Sequence, residues 1–326
     1  MGTYAAKIWG MKTKFAIGCL VQWYEIDILP QYIDTLIRAI DVYGKDQVLI
    51  DIKLVTNQDL EQIDNPDRLV HILSEFDKQI DRLESYHSDI FIDKGLVTIA
   101  DYRRVFNSKY CELADVLVWG ETDMLIPKQA FVVLDHLHQN VNTPKYLATF
   151  AICKMWDDTW KPLEHPAFTD KQHSDSKEDW WGLNYDMTVQ EMDSFNDQVE
   201  ELEVTIVQPH KFNGCGLVIS SEVIKAGVNI PHSAFFIHED TALMLMTQKV
   251  LGNIPQYHFR NILVVHNRKH SNKRNYVKGE TGTTVGQRRN SNQWYVTANK
   301  MCEQNVYNMF NPAYKAKTWK DVWSSI

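Results

Sequence analysis

The chain has 326 residues, of which 44% are hydrophobic, 11% aromatic and 23% charged, and its formal net charge is −8. This composition can build one large α/β domain or two small ones, and it excludes a disordered, collagen-like or linker-like chain. No apolar run is long enough to suggest a membrane span or a secretory signal. The five cysteines are isolated and form no C-x-x-C pair, which favours a reducing, cytoplasmic setting.

The first half of the chain alternates between strand patterns and helix patterns. Short apolar runs predict buried strands at 14–21, 47–55, 114–119 and 146–153. Apolar positions at helical spacing predict helices at 29–42, from 65 onward, at 98–106 and at 127–139. This alternation predicts a mostly parallel sheet flanked by helices, with residues 1–155 forming one half of the protein.

The alternation breaks in a stretch of unusual charge. Residues 157–203 carry 14 acidic and 3 basic residues and several tryptophans, so we expect 156–202 to be an acidic insertion outside the sheet. Regular patterns resume over 203–270, which predicts a second half of the fold. Its elements are predicted as strands at 203–207, 216–220, 235–237 and 256–265 and a helix at 241–251.

The end of the chain has the opposite charge. Residues 258–300 carry 9 basic residues and 1 acidic residue, and we expect 271–326 to be a basic extension that includes a helix near 294–309. Opposite charges concentrated in separate segments suggest that each segment has a functional role, although two solvated surfaces explain them equally well.

Two acidic residues, Glu121 and Asp123, follow the predicted strand at 114–119. The carboxyl ends of strands in open α/β sheets are where ligands bind, and in an extended backbone residues two apart point the same way. Such a pair suits Mg²⁺ or Mn²⁺ held together with substrate phosphates. An acidic turn after a buried strand is the alternative interpretation.

A second acidic pair, Glu239 and Asp240, follows His238 at the start of a predicted helix. A carboxylate at this position commonly caps the helix, and it is also what deprotonating an acceptor hydroxyl requires. His266 follows a later strand and could complete a metal site, or lie in a basic surface loop. The turn Phe212–Gly216 (FNGCG) lets the backbone approach a ligand closely, or is an ordinary turn.

In their order along the chain, these motifs resemble the nucleotide-sugar-binding half of a GT-A glycosyltransferase. The resemblance covers about 14–270 without the acidic stretch, and it implies an α/β, Rossmann-like fold. It places Glu121 and Asp123 at the family's D-x-D position, where the second acid binds Mn²⁺ or Mg²⁺ on the donor diphosphate; Glu121 departs from the family's first Asp. His266 matches a further metal ligand of some members, and Asp240 with Glu239 matches the catalytic base of inverting members.

The resemblance also implies a nucleotide-sugar donor, with a UDP-sugar as the expected form. The residues that it places against this donor are Gln22, Tyr24, Arg103, Arg104, Asn107, Glu121 and Thr122. A nucleotidyltransferase is the runner-up among enzymes, but the loop 22–27 after the first strand contains no glycine. A nucleotide- or carbohydrate-binding protein without catalysis is the alternative of another class.

The acceptor is predicted from the basic segment. Its candidate nucleic-acid contacts are Arg268, Lys269, Lys273, Arg274, Arg288 and Arg289. Basic side chains with interleaved aromatic residues can bind a nucleic-acid backbone and stack on a displaced base. Because some phage-type enzymes of this fold class glycosylate 5-hydroxymethylated pyrimidines, we expect a modified base in duplex DNA, in the host cytoplasm if the chain is phage-encoded. A surface glycan or a lipid-linked acceptor is the alternative.

Overall fold

The structure is a computed structural model of the chain. It describes residues 13–56, 66–95, 97–151, 188–207, 211–234, 239–266 and 292–318, together with four two-residue strands between 155 and 185. The described helices are α1 (Leu29–Tyr43), α2 (Pro66–Asp81), α3 (Ile99–Tyr110), α4 (Ala130–Asn140), α5 (Val189–Asn196), α6 (Ser221–Lys225), α7 (Glu239–Leu251) and α8 (Asn292–Tyr307). Short 3₁₀ turns lie at Trp23–Glu25 and Lys45–Gln47.

The strands follow the same chain order. They are β1 (Phe15–Gln22), β2 (Val48–Val55), β3 (His87–Asp93), β4 (Val116–Glu121), β5 (Met124–Leu125), β6 (Leu147–Ala151), β7 (Met155–Trp156), β8 (Pro162–Leu163), β9 (Gln172–His173), β10 (Asn184–Tyr185), β11 (Val204–Ile206), β12 (Lys211–Phe212), β13 (Val218–Ser220), β14 (Gln256–Leu263) and β15 (Val265–His266).

Eight of these strands form one mixed sheet in the order β11-β14-β6-β13-β4-β1-β2-β3. The strands β1, β2, β3 and β4 pair in parallel, as do β6 and β14. Two strands run against their neighbours: β13 lies antiparallel to both β4 and β6, and β11 lies antiparallel to β14. The prediction of a large, mostly parallel sheet with helices is therefore confirmed.

The antiparallel strand β13 determines where the functional residues lie. Because β13 runs against β4, its amino-terminal end meets the carboxyl end of β4, and Gly216 N–H donates to the carbonyl of Trp119 at 2.8 Å. The turn that precedes β13 is thereby brought beside Glu121. Residues almost a hundred positions apart thus meet at one edge of the sheet.

Apolar side chains fill both faces of the sheet, as a strand buried between two layers requires. Along β1, Phe15, Ile17 and Cys19 face one core cluster, whereas Ala16 and Leu20 face the other. The first cluster includes residues of α1, α2 and α4, and the second includes residues of α3, α6, α7 and α8. The helix α3 packs closely here, since a Cβ built on Gly18 would lie 2.6 Å from the ring of Phe106.

Most predicted elements are confirmed within a few residues, and β3 and α5 are among the elements that were not predicted. The strand β3 lies at the end of the sheet with several side chains exposed, so its sequence shows no apolar run. The helix α5 lies inside the acidic stretch, yet its Met192 is buried in the core. The predicted strand at 235–237 lies outside the described residues.

Among the described residues, no helix has both the length and the hydropathy needed to cross a membrane.

Candidate active site

The structure brings the first acidic pair together with His266. A two-residue antiparallel ladder pairs His266 of β15 with Met124 of β5, next to Asp123. The Nε2 atom of His266 lies 3.1 Å from Oε2 of Glu121 and 3.3 Å from Oδ1 of Asp123. Asp123 and His266 are buried, and Glu121 is partly exposed. Three side chains of types that can bind a metal therefore converge at the carboxyl end of β4.

The local backbone differs from the sequence prediction. Two carboxylates on an extended backbone would point the same way, but the chain turns at Thr122 and Asp123 between β4 and β5. The extended-backbone premise was therefore wrong. Both carboxylates nevertheless contact His266, because the turn and the β5–β15 ladder bring the imidazole against them.

The chemistry of these side chains, and the distances of the two acids from His266, fit a divalent cation. Carboxylate oxygens suit Mg²⁺ and Mn²⁺, and imidazole is a common ligand of transition metals. Neighbouring ligand atoms around an octahedral cation with bonds of about 2.1 Å lie roughly 3 Å apart. The contacts of His266 with Glu121 and Asp123, at 3.1 and 3.3 Å, come close to that spacing. Without a metal, a proton on Nε2 of His266 can form hydrogen bonds with the same two carboxylates.

Arg103 of α3 connects the two acidic pairs. Its Nη2 lies 2.7 Å from Oε1 of Glu121, and its Nη1 lies 2.5 Å from Oε1 of Glu239. The Nη2 atom also donates to the carbonyl of Gly214 at 3.3 Å, and the guanidinium lies over the ring of Trp119. Arg103 is only 1% exposed, so its charge acts on these two carboxylates with little screening by solvent.

The two glutamates that share Arg103 titrate in opposite directions. Burial alone would raise the pKa of Glu121, but the hydrogen bond with His266 and the charge of Arg103 outweigh it and lower this pKa to about 2. Burial, followed by repulsion from Asp240, raises the pKa of Glu239 to about 8, although Arg103 opposes this. The site thus keeps Glu121 ionised while Glu239 retains a proton near neutral pH.

The second acidic pair lies against the glycine turn before β13. The N–H of Gly214 donates to Oδ2 of Asp240 at 3.0 Å, and the N–H of Thr241 donates to Oδ1 at 2.6 Å. A Cβ on Gly214 would lie 2.5 Å from Nη1 of Arg103 and 3.3 Å from Oε1 of Glu239, so only glycine leaves room for this ion pair. Asp240 is partly exposed, and its hydrogen bonds fix its carboxylate.

Cys215 also lies in the site, and sequence reasoning did not assign it a role. Its Sγ, a carboxylate oxygen of Glu121 and a ring nitrogen of His266 all lie within 4.8 Å of one another. The next residue, Gly216, has a φ of +69°, a left-handed conformation that glycine adopts at little cost. The position of a cysteine between two glycines in FNGCG was the available signal.

Two residues predicted to contact the donor form hydrogen bonds within the protein. Arg104 donates to the carbonyls of Ile230 and Pro231 at 2.8 Å, and to Asp101 at 2.7 Å. Asn107 donates to Asn229 at 3.0 Å and accepts from the indole N–H of Trp119 at 2.9 Å. These contacts connect α3 to β4 and to the loop before α7, so the described structure gives Arg104 and Asn107 a structural role.

The remaining predicted donor contacts lie near the same edge of the sheet. Gln22 ends β1, and its side-chain amide lies 3.5 Å from the carbonyl of Val97. Tyr24 packs edge-on against Trp23, and its side chain is buried. Thr122 is 3% exposed and lies in the turn between Glu121 and Asp123. Of these three residues, Gln22 is the one that the structure leaves partly exposed.

The predicted nucleic-acid contacts lie outside the described residues. They are Arg268, Lys269, Lys273, Arg274, Arg288 and Arg289. His238 and most of the acidic stretch 157–187 lie outside the described residues as well. The described end of that stretch, 188–203, is joined to the fold: the side chain of Asn196 exchanges two hydrogen bonds with the backbone of Leu263.

No protein-family model and no curated protein matches the sequence. The fold is similar to solved glycosyltransferase structures at low identity. S. aureus TarS (residues 1–349) is 9% identical, with a TM-score of 0.42 over 75% of this chain and 60% of that one. The mannosyltransferase PcManGT from Pyrobaculum calidifontis, solved with GDP-Man and Mn²⁺, is 7% identical, with a TM-score of 0.47 over 93% and 74%.

A third similar structure is GalNAc-T7, solved with UDP, GalNAc and Mn²⁺. It is 10% identical, with a TM-score of 0.48 over 94% of this chain and 59% of that one. The chain thus spans less than two thirds of the length of TarS and of GalNAc-T7. At these identities and TM-scores, the likeness assigns no function to this chain.

Proposed function

We propose that the protein is a metal-dependent glycosyltransferase of GT-A type, which moves a sugar from a nucleotide-diphosphate donor to an acceptor hydroxyl. The observation that carries the proposal is the convergence of Glu121, Asp123 and His266 at the carboxyl end of β4, beside the pair Glu239 and Asp240. A metal-binding group and a candidate base in one site are what sugar transfer from a nucleotide diphosphate requires.

The proposed donor side uses the buried cluster at the end of β4. Asp123, Glu121 and His266 would hold Mn²⁺ or Mg²⁺, which stabilises the negative charge that develops on the diphosphate leaving group. The nucleoside part of the donor, expected to be uridine, would lie near Gln22 and Tyr24 at the carboxyl end of β1. Thr122, between the two acids, adds a hydroxyl to this side of the site.

The proposed acceptor side uses Asp240. Its carboxylate is held by the N–H groups of Gly214 and Thr241 at 3.0 and 2.6 Å, and a partly exposed side chain can meet an incoming hydroxyl. Asp240 would take the proton of that hydroxyl. At the same time the hydroxyl oxygen would bond to the anomeric carbon of the sugar, and the bond between that carbon and the diphosphate would break. A base in this position favours inversion of configuration.

Arg103 has a positioning role in this proposal. Its guanidinium is turned toward Glu121 and Glu239 and is 1% exposed, which is why we place it between the two acidic pairs and not on the donor phosphates. It holds Glu121 on the metal side and Glu239 beside Asp240. The geometry of the two halves of the site therefore depends on one cation.

For the acceptor, we propose a 5-hydroxymethylated pyrimidine in duplex DNA. The support is the charge of residues 258–300, with 9 basic residues and 1 acidic residue, which exceeds what one diphosphate needs. A surface glycan or a lipid-linked hydroxyl is the alternative within the same enzyme class. A protein that binds the nucleotide sugar without transferring the sugar is the alternative of another class.

One assay tests donor and acceptor together. The full-length protein is incubated with a panel of nucleotide sugars and Mn²⁺, with 5-hydroxymethylated DNA or unmodified DNA of the same sequence, and the digested nucleosides are analysed by mass spectrometry. A hexose mass added only to the modified nucleoside supports both proposals. Donor turnover onto a glycan or lipid acceptor would overturn the DNA acceptor alone. Donor binding without turnover on any acceptor would favour the binding protein.

The Asp123→Asn variant is the matched test of the metal side in that assay. It keeps the size of the side chain and removes one negative charge from the cluster, so we expect loss of Mn²⁺-dependent turnover. The Asp197→Asn variant, which removes an exposed acid that pairs with Lys128, is expected to retain it. Full activity of Asp123→Asn would contradict the proposed metal site.

A further inference from the structure

The glycine turn before β13 places a thiol in the metal cluster. Cys215 is fully buried. Its Sγ, a carboxylate oxygen of Glu121 and a ring nitrogen of His266 all lie within 4.8 Å of one another. The turn itself is fixed from two directions. Asp240 accepts from the N–H of Gly214, and the side chain of Asn213 accepts from the N–H of Cys215 at 2.8 Å.

We infer that Cys215 is a metal ligand, and that the site therefore binds Zn²⁺ or Co²⁺ more tightly than Mg²⁺. The Sγ of Cys215 would bind the metal together with a carboxylate oxygen of Glu121 and the Nε2 of His266, in addition to the Asp123 of the proposed metal site. This inference rests on the proposed metal-dependent function and goes beyond it, since the ligands proposed above include no sulfur. Binding replaces the thiol proton, which leaves to solvent, with a metal–sulfur bond.

The spacing is compatible with this ligand set. With metal–sulfur bonds of about 2.3 Å and metal–nitrogen bonds of about 2.0 Å, sulfur and nitrogen ligands of a tetrahedral site lie roughly 3.5 Å apart. The three ligand atoms, within 4.8 Å of one another, would have to approach by no more than about 1.3 Å, which rotation of side chains can supply. With Asp123 as the fourth ligand the tetrahedral positions are filled, and an oxygen of the donor phosphate would add as a fifth ligand.

The chemistry of the ligands predicts the preference among metals. Thiolate is a soft ligand that favours Zn²⁺ and related transition metals, whereas Mg²⁺ prefers oxygen ligands and octahedral geometry. A buried thiol that only fills space in the core would form no metal–sulfur bond and would add nothing to this preference. Cys111 provides the matched comparison, because it is buried at the end of α3 and its Sγ contacts the carbonyl of Ser108.

The test uses Co²⁺ as a spectroscopic probe. Full-length protein stripped with a chelator is titrated with Co²⁺, and we expect an intense near-ultraviolet band from sulfur-to-cobalt charge transfer. The band should disappear in Cys215→Ser and persist in Cys111→Ser. By competition, the Kd for Zn²⁺ should rise at least about tenfold in Cys215→Ser and remain unchanged in Cys111→Ser.

The outcomes separate this inference from the proposed function. Co²⁺ binding without the sulfur band, no binding of Co²⁺, or a band that persists in Cys215→Ser would each overturn the role of Cys215. Mn²⁺-dependent sugar transfer alongside any of these results would leave the proposed function intact. If Cys215→Ser does not fold, Cys215→Ala and the spectrum of the unaltered protein, with or without the band, decide the question.

Discussion

The guanidinium of Arg103 is shared by two carboxylates from opposite halves of the site, with Nη1 lying 2.5 Å from Oε1 of Glu239. The other carboxylate, Glu121, lies 2.7 Å from Nη2. Removing a buried cation that lies between two acids leaves an uncompensated buried charge. This relationship gives the first two predictions.

We expect Arg103→Ala to lower the free energy of unfolding by about 3–5 kcal/mol, because the ionised Glu121 then loses its counter-charge and Glu239 loses a hydrogen-bond donor. Urea denaturation measures this change. The matched control is Arg38→Ala, which breaks the more exposed pair with Asp193 and should cost less than about 1 kcal/mol. Equal losses in the two variants would contradict a special role for Arg103.

The raised pKa of Glu239 predicts a pH dependence of stability. The carboxyl of an unfolded glutamate ionises near pH 4.5, whereas Glu239 in the folded protein ionises at about 8. The folded state therefore binds a proton that the unfolded state lacks between these values, so its contribution to stability is lost as pH rises from about 5 to about 8.

The Glu239→Gln variant isolates this contribution, because glutamine keeps the shape and does not titrate. We expect the free energy of unfolding, measured in urea at several pH values, to fall less steeply with pH in this variant than in the unaltered protein. The exposed Glu222, which pairs with Lys225, serves as the control through Glu222→Gln. Identical slopes in Glu239→Gln and the unaltered protein would show that Glu239 does not hold the proton.

We expect Asp240→Asn to lower kcat by about 10²–10⁴, the usual contribution of a general base, with little change in the Kd of the nucleotide sugar. Asparagine can still accept one of the two backbone hydrogen bonds from Gly214 and Thr241, so the turn should persist. Steady-state kinetics and calorimetry measure the two quantities. A large increase in Kd with kcat preserved would place Asp240 on the donor side instead.

The proposed DNA acceptor predicts a steep dependence of affinity on salt. Replacing Arg288 and Arg289 by alanine should reduce the slope of log K against log[salt] by about 2, since each phosphate contact contributes roughly 0.9. Fluorescence anisotropy with labelled duplex DNA gives this slope. Affinity that is absent or independent of salt would favour a glycan or lipid-linked acceptor.

The sequence predicted secondary structure most closely where a single pattern of apolar side chains is enough to identify the element. The buried run of β1 and the helical spacing of α2 predicted both elements closely. The strand β3 was missed because it lies at the end of the sheet, where its side chains alternate irregularly between exposed and half-buried positions. An apolar run, the signal used for strands, does not form at such a place.

The site was predictable only in part, because its contacts depend on pairings distant in the chain. Glu121, Asp123 and His266 were predicted as a group, and His266 does contact both acids. Arg104 could not be assigned from its own sequence, since its partners Ile230 and Pro231 lie over a hundred positions away. The sequence around Cys215 shows no spacing typical of metal ligands. Cys215 lies in the site because β13 runs antiparallel to β4.

The glycine in the middle of β1 has an effect on the site although it contacts none of the acids. Arg103 and Phe106 lie three positions apart on α3, on the same face of that helix. The ring of Phe106 occupies the space that a side chain on Gly18 would need, at a distance of 2.6 Å. A methyl group at position 18 would therefore push α3 outward and carry Arg103 away from Glu121 and Glu239. The distance from Arg103 to Glu121 and Glu239 thus depends on there being no Cβ atom at position 18 of β1.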